Sequence, residues 1–181
     1  WGIPASRCRV GSVLAQTRGT ICHRCYALSG TYIFSNVQDK LEQRYQGLFH
    51  ELWTPSLAFL IRWNCDRYFR LFDSGDLQGT NHFHNLCEVA KAIPEIQIWM
   101  PTREYEIVRK YQGEIPTNLL VRFSAINIDG QPPSWDQTST VSVAKPPVPS
   151  FECMAPDQGN QCKECRACWD RNVANVDYRL H

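Results

Sequence analysis

The chain has 181 residues, 43% of them hydrophobic and 12% aromatic, which is the size and composition of one globular domain. Its 19 Lys and Arg residues balance 18 Asp and Glu residues to a net charge of +1, so neither nucleic acid nor an anionic membrane surface is indicated as a partner. No uninterrupted apolar run reaches the length of a membrane span, and no targeting signal can be read from Trp1 onward.

The first predicted segment, residues 1–34, is a loop that carries three cysteines. Cys22 and Cys25 form a C-x2-C step, which places two thiolates on one tight loop facing a common centre, and Cys8 precedes them. The apolar residues between 37 and 52 then recur at helical spacing, and a second helix is expected to begin at Pro55.

Residues 68–72 are predicted to form the first strand, which ends in a tight turn at residues 73–76. Further helices are expected at 84–92 and 104–111, and further strands at 96–100, 119–123 and 141–144. Strands that alternate with helices of this length indicate right-handed βαβ crossovers and a mainly parallel sheet. We therefore predict a single α/β domain over 1–181, with cysteine-bearing loops at 1–34 and 151–170.

The second cysteine-bearing loop contains the most informative motif of the chain, Cys162-Lys-Glu-Cys165-Arg-Ala-Cys168. A C-x2-C-x2-C run begins the ferredoxin-type ligand set, in which each thiolate binds a different iron of a cubane. Zinc sites normally take two C-x2-C knuckles from separate loops. We therefore predict one or two [4Fe-4S] clusters, with structural zinc and disulfides as the alternatives. The expected metal ligands are the seven terminal cysteines, Cys8, Cys22, Cys25, Cys153, Cys162, Cys165 and Cys168.

Other candidate ligands lie inside predicted helices. Cys65 and Cys87 each fall in an apolar-periodic stretch, where a free cysteine is commonly a small buried hydrophobe. His82 and His84 form an H-x-H pair, which would face one side of a strand and could hold a metal there. Because they lie at a helix entrance, we expect a structural role for both.

The turn after the first predicted strand is the expected cofactor-binding site, formed by Asp73, Ser74, Gly75 and Asp76. In parallel sheets, ligands bind at the carboxyl ends of the strands, where this turn is placed. Its two carboxylates could bind a metal, accept hydrogen bonds from a polar ligand or act as a base. The alternative is an ordinary turn whose side chains satisfy local amides. Thr102, Arg103, Ser124 and Asn127 follow the next two strands and occupy equivalent positions at this edge.

The order of these motifs resembles that of the gene product 88 family, an uncharacterised family of bacteriophages and some bacteria. The matching elements are the cysteine pair followed by Tyr-Ala, a Gly-Thr-Tyr step, residues 70–76 and 102–103, and the terminal C-x2-C-x2-C-Trp pattern after Cys153. The resemblance covers nearly the whole chain. It implies a phage protein in the cytoplasm of the host cell, and it describes the architecture more fully than the activity.

A more distant likeness is to radical S-adenosylmethionine enzymes. In those enzymes a three-cysteine loop follows the first strand of a partial barrel, and a Gly-Gly-Glu-type turn after the second strand holds the amine of the methionine. The likeness implies a small open barrel, S-adenosylmethionine at the turn of residues 73–76, and an auxiliary cluster on the C-terminal cysteines. The signature C-x3-C-x2-C is absent, because 13 residues separate Cys8 from Cys22.

Two classes of function follow from these patterns. The first is an iron–sulfur protein, either a radical-SAM-like enzyme or a non-catalytic relative, with a small-molecule or protein redox partner. Its catalytic residues are unknown from sequence. The second is a non-enzymatic binding or assembly module whose terminal cysteines hold structural zinc. A single cluster that joins Cys22 and Cys25 to the C-terminal cysteines is a variant of the first class.

Overall fold

A computed structural model of the chain describes residues 1–180. The α-helices are α1 (Val10–Leu14), α2 (Ser35–Gly47), α3 (Trp53–Asn64), α4 (Thr80–Ala92) and α5 (Tyr105–Arg109). The strands are β1 (Tyr68–Arg70), β2 (Gln97–Thr102), β3 (Leu119–Ser124), β4 (Thr138–Ser142), β5 (Phe151–Glu152) and β6 (Asn175–Arg179). In the first 34 residues the structure has short 3-10 turns and the single-turn helix α1, joined by loops.

The six strands form one sheet in the order β1-β2-β3-β4-β6-β5, and every neighbouring pair is parallel. The sheet curls into a half-barrel, which confirms the predicted α/β class and the open partial barrel. The last strand, β6, inserts between β4 and β5. The C-terminal cysteines therefore lie in the crossover between two adjacent strands at one edge of the sheet.

The two faces of the half-barrel have different partners because successive side chains of a strand point to opposite faces. Ile98 and Met100 of β2 pack into the main core with the helices, whereas Trp99 between them belongs to a second core on the other face. That second core also contains Val176 of β6 and the buried Cys168. The helices thus cover the outer face, and the C-terminal cysteine segment covers part of the concave face.

Several element boundaries differ from the predictions. The first long helix ends at Gly47, five residues before the predicted end, and the fourth strand lies at Thr138–Ser142 rather than at 141–144. Strands β5 and β6 were not predicted. The buried side chains of β4 and all but Val176 of those in β6 are polar. Thr140 and Ser142 donate hydrogen bonds of 2.5 Å to the two carboxylate oxygens of Asp177. A strand stabilised in this way carries no apolar periodicity.

None of the helices within residues 1–180 is long and apolar enough to cross a membrane.

Candidate metal and cofactor site

The N-terminal cysteine loop lies at the carboxyl edge of the half-barrel. The Ile21 amide donates to the carbonyl of Ile126 at 2.9 Å, and the Ile128 amide donates to the carbonyl of Gly19 at 2.9 Å. These two bonds attach the residues just before Cys22 to the segment that follows β3. The sequence predicted this edge as the ligand-binding side, and the loop is placed there by the backbone.

Three cysteine side chains of this loop lie close to one another. A methyl group built on Gly11 would lie 3.5 Å from Cys8 Sγ and 3.6 Å from Cys22 Sγ, so both sulfur atoms border the same small space. Burial raises the pKa of the Cys8 thiol, and nearby Asp76, Cys25 and Cys22 raise it further. A thiol with so high a pKa stays protonated unless a cation replaces its proton. Cys8 and Cys22 border one small space and Cys25 lies nearby, so the three thiols form one group of candidate ligands.

Asp76 is a buried carboxylate that joins the turn after β1 to the end of β2. It accepts hydrogen bonds from Thr102 Oγ1 at 2.6 Å, from the Arg103 amide at 2.8 Å and from the Leu77 amide at 2.8 Å. Burial raises the pKa of Asp76 to about 6, against the lowering effect of these three bonds. Its oxygens are directed at protein donors, so Asp76 positions the turn beside Cys8.

Asp73 has different surroundings, because its side chain is 39% exposed. One carboxylate oxygen accepts a hydrogen bond of 3.2 Å from the Tyr32 hydroxyl, and the Asp73 carbonyl accepts one of 2.5 Å from the Tyr26 hydroxyl. Arg70 Nη2 donates to the same Tyr26 oxygen at 3.3 Å. Burial and the Asp73 carboxylate raise the pKa of Tyr32 to about 12. Its other carboxylate oxygen, Oδ1, is buried and lies 3.5 Å from the Trp1 amino nitrogen. Asp73 is therefore the more exposed of the two carboxylates in the predicted cofactor-binding turn, although one of its oxygens already faces a positive charge.

The other two residues of that turn face the N-terminal segment. The Ile3 amide donates to the Ser74 carbonyl at 3.0 Å, and a Cβ on Gly75 would lie 2.3 Å from Ile3 Cγ1. Gly75 also has a φ of +81°, which favours glycine. The hydroxyl of Ser74 is buried and has no hydrogen-bond partner within the described chain. Gly75 thus gives the turn its shape, and Ser74 keeps an unused polar group beside Asp73.

Glu104 belongs to the same edge and was not singled out from the sequence. It is 5% exposed, and its Oε1 accepts a hydrogen bond of 2.8 Å from the Val10 amide at the start of α1. Its own amide donates to Thr102 Oγ1 at 3.0 Å. Glu104 therefore connects the N-terminal cysteine loop to β2. Its position directly after Thr102 and Arg103, at the end of a predicted strand, was the available signal.

The four C-terminal cysteines line one narrow pocket on the concave face, which has a cavity volume of about 10 Å³ and is partly open to solvent. Its lining consists of Phe151, Cys153, Met154, Ala155, Cys162, Cys165, Ala167, Cys168, Trp169 and Val176. No cysteine of the N-terminal loop is among them. The structure thus arranges the seven predicted ligands as one group of three and one group of four.

Cys168 is the most enclosed thiol of this pocket. Burial raises the pKa of Cys168 to about 11, while the Tyr178 hydroxyl, 3.2 Å from its Sγ, and the nearby Arg122 guanidinium lower it. Cys162, in contrast, is exposed, and Cys153 and Cys165 are half-buried. The pocket therefore has one deep sulfur and an open outer side.

Arg122 is a fully buried guanidinium against the same loop, and it too was missed from the sequence. It donates six hydrogen bonds, all to backbone carbonyls, of which the 3.3 Å bond to Cys168 and the 3.0 Å bond to Ala167 lie on the cysteine loop. A buried charge is normally compensated by an opposite charge. Because none of these six acceptors is a carboxylate, Arg122 provides a positive charge beside the pocket that suits anionic thiolates.

An aromatic cluster separates the cysteine pocket from β1. Trp169 donates through Nε1 to the Phe69 carbonyl at 3.0 Å, and its ring lies 5.3 Å from that of Trp99 and 5.6 Å from that of Tyr68. Trp169 itself lines the pocket. Trp169 therefore forms an aromatic wall of the pocket that faces β1.

The two histidines do not form a joint site. His82 is buried against Trp53 and Phe72, and burial lowers its pKa to about 4. His84 is exposed and lies 3.3 Å from the Tyr111 hydroxyl. The central cysteines agree with the structural interpretation, because Cys87 is buried in the main core and Cys65 packs at its margin.

As they stand, no three His, Cys, Asp or Glu side chains within residues 1–180 converge on the position of a single metal ion. Tetrahedral zinc with Zn–S bonds of about 2.3 Å needs sulfur atoms about 3.8 Å apart. A cubane binds each thiolate to a different iron. The two chemistries therefore require different arrangements of the same cysteines.

Comparison with known proteins bears on the first 147 residues. No curated protein and no solved structure is similar enough to the chain to show a relationship, so the likeness to radical S-adenosylmethionine enzymes stays a prediction. The sequence model of the Gene product 88 family matches residues 4–147. This match includes the N-terminal cysteines, the turn at 73–76 and β1 to β4, and it ends before the C-terminal cysteine pocket. The chain belongs to the Gene product 88 family.

Proposed function

We propose that this chain is an iron–sulfur protein with two [4Fe-4S] clusters, one on Cys8, Cys22 and Cys25 and one on the four C-terminal cysteines. The observation that carries the proposal is the division of the seven cysteines on a parallel half-barrel. Three lie together at the carboxyl edge, and four line one pocket on the concave face. Buried Arg122 next to the second group favours an anionic centre there.

The N-terminal group suits a catalytic cluster. Three thiolates on four irons leave one iron without a protein ligand, and this group lies at the edge where parallel sheets bind their ligands. When bound, a reduced cluster supplies the electron for radical chemistry on S-adenosylmethionine. Asp73 is accessible beside it and can accept a hydrogen bond from an amine, while Ser74 has a free hydroxyl. We assign the cofactor to the turn at 73–76 on this basis.

The C-terminal group suits an auxiliary or electron-transfer cluster. Four thiolates satisfy four irons, so this centre is closed to substrate, and its exposed side at Cys162 is open to a redox partner. Reduced thiols also imply a compartment such as the cytoplasm of the host cell. Under this proposal the protein acts with a small-molecule substrate and a protein electron donor.

The decisive experiment is a count of iron, acid-labile sulfide and zinc in protein purified without oxygen. We expect about eight iron and eight sulfide per chain, because each cubane has four of each. Half of the iron and sulfide should remain in the triple variant Cys8→Ser, Cys22→Ser, Cys25→Ser. Half should also remain in the double variant Cys162→Ser, Cys165→Ser. Cys65→Ser is the matched control and should retain all of the iron.

The alternative outcomes assign the cysteines differently. Stoichiometric zinc without sulfide would indicate a structural-zinc module for binding or assembly. Loss of all iron in both cysteine variants would indicate one cluster that joins the two groups. In either case the assignment of two cubanes is wrong.

A further inference from the structure

A second pocket, of about 520 Å³, opens at the carboxyl edge of the half-barrel next to the N-terminal cysteine loop. One wall is formed by five residues of that loop, which are Arg18, Gly19, Thr20, His23 and Arg24. The other wall is formed by the segments that follow three parallel strands, with Ile128 after β3, Val143 after β4 and Leu180 after β6. Parallel sheets bind ligands in this position, and the volume lies in the range of small-molecule sites.

Two guanidinium groups of the loop wall are free to bind an anion. Arg18 and Arg24 both line the pocket and are exposed, and neither side chain makes a hydrogen bond or an ion pair within residues 1–180. His23 lies between them in the lining, with Nδ1 2.9 Å from the Ala15 carbonyl. The planar guanidinium fork matches the oxygens of a phosphate group.

The opposite wall carries one carboxylate, Asp129. Its Oδ1 accepts a hydrogen bond of 2.8 Å from the Val143 amide, and its Oδ2 has no hydrogen-bond partner within the described residues. A carboxylate is unfavourable next to phosphate but is the group that binds the hydroxyls of a ribose. The exposed side chain of Val143 and that of Ile128 add an apolar surface beside it.

We propose that this pocket binds a nucleotide-class small molecule. Arg18 and Arg24 contact its phosphates, Asp129 accepts a hydrogen bond from a ribose hydroxyl, and Ile128 and Val143 pack against the base. A long nucleic acid is a poorer fit, because the net charge of +1 does not indicate the broad positive footprint that binding of nucleic acid requires. The inference goes beyond the iron–sulfur proposal and does not depend on it, since no cysteine lines this pocket.

The test is calorimetric titration of the anaerobically purified full chain with ATP, tripolyphosphate and adenosine. ATP and tripolyphosphate should bind, and the double variant Arg18→Ala, Arg24→Ala should lose about tenfold or more in affinity for both. Arg9→Ala is the matched control, an exposed arginine of the same segment outside this pocket, and should change affinity by less than about twofold. Asp129→Asn keeps the acceptor for Val143, and it should weaken ATP but not tripolyphosphate.

Each other result overturns the proposal. Absence of ATP binding to the folded protein excludes the site, whatever its iron content. Equal losses in Arg9→Ala and in the double variant would show non-specific charge attraction. An unchanged affinity of Asp129→Asn for ATP would exclude the ribose contact, and tighter binding of a single-stranded oligonucleotide than of ATP would exclude a small-molecule pocket. Thermal unfolding of every variant establishes that it is folded before titration.

Discussion

The Tyr178 hydroxyl lies 3.2 Å from the Sγ of Cys168, at the closed inner end of the four-cysteine pocket. Tyr178 is half-buried, and the desolvation of its hydroxyl together with Cys168 raises its pKa well above 10, so the phenol keeps its proton and can donate it to sulfur. Hydrogen bonds to the sulfur ligands of a cluster stabilise the more negative, reduced state.

The first prediction follows from that contact. Tyr178→Phe keeps the ring against Trp99 and removes only the donor, so the cluster of the C-terminal group should become harder to reduce. A hydrogen bond worth about 1 kcal/mol corresponds to roughly 40–50 mV in a one-electron couple. Redox titration followed by paramagnetic resonance would measure the shift. Tyr111→Phe, on the helical face, is the control, and an unchanged potential in Tyr178→Phe would contradict the assignment of this pocket.

Arg122 should be the most costly single charged residue to replace. Arg122→Met removes a buried guanidinium that satisfies six carbonyls around Cys168. Each buried carbonyl left without a donor costs about 1–3 kcal/mol, so we expect a total loss of several kcal/mol. Denaturant unfolding of the metal-free chain is the measurement, and Arg9→Met, at an exposed site, should change the free energy of unfolding by less than about 0.5 kcal/mol. A small loss for Arg122→Met would mean that the loop is held by other contacts.

The parts of the site that could be predicted from the sequence are those whose residues recur at a characteristic spacing. The two cysteine groups follow from C-x2-C steps, and β2 and β3 follow from apolar runs that end in polar residues. Arg122 lies in the middle of such an apolar run. The sequence does not show that its side chain points to the concave face, so it could not be predicted as part of the site. Strand β6 was missed because Asp177 is buried by pairing with Thr140 and Ser142, and a buried polar ladder has the composition of a loop.

Gly75→Ala should destabilise the turn at residues 73–76 for two separable reasons. The positive φ of 81° penalises any Cβ, and the new methyl would overlap Ile3 at 2.3 Å. We expect a loss of roughly 2–4 kcal/mol in the free energy of unfolding. Gly159→Ala is a matched control, since its φ is 70° and a Cβ added there would meet nothing within 4 Å, so it should lose only about 1–2 kcal/mol. Equal losses would show that Ile3 can move away.

The two carboxylates of the turn should respond differently to amide substitution. Asp73→Asn changes a partly exposed side chain and weakens its ion pair with the Trp1 amino group, so it should abolish binding of S-adenosylmethionine while lowering the free energy of unfolding by no more than about 1 kcal/mol. Asp76→Asn replaces an acceptor of three protein hydrogen bonds, so stability should fall by about 1–3 kcal/mol. Calorimetry with S-adenosylmethionine and denaturant unfolding separate the two effects. Retained binding in Asp73→Asn with full iron content would remove the turn from the cofactor site.

His82 should make the stability of the metal-free chain fall in acid. Burial lowers its folded-state pKa to about 4 from 6.5, so between these values the unfolded chain binds a proton that the folded chain does not. The free energy of unfolding therefore falls as pH decreases from 6.5 to 4, by about 3 kcal/mol from this residue when the change is complete. Above pH 6.5 His82 does not make the free energy of unfolding depend on pH, because it is neutral in both the folded and the unfolded state.

Asp76 acts in the opposite direction over part of the same range. Its folded-state pKa is raised to about 6 from 3.8, so its contribution to stability grows as pH falls through 6, and the wild-type profile is the difference of the two effects. His82→Gln removes only the contribution of the histidine. The difference between the free energies of unfolding of His82→Gln and of the wild type should therefore shift by about 3 kcal/mol in favour of the variant when the pH is lowered from 7 to 4. His84→Gln, at an exposed site, is the control, and its free energy of unfolding should depend on pH as that of the wild type does. If the pH dependence of His82→Gln also matched that of the wild type, His82 would take up its proton in the folded state.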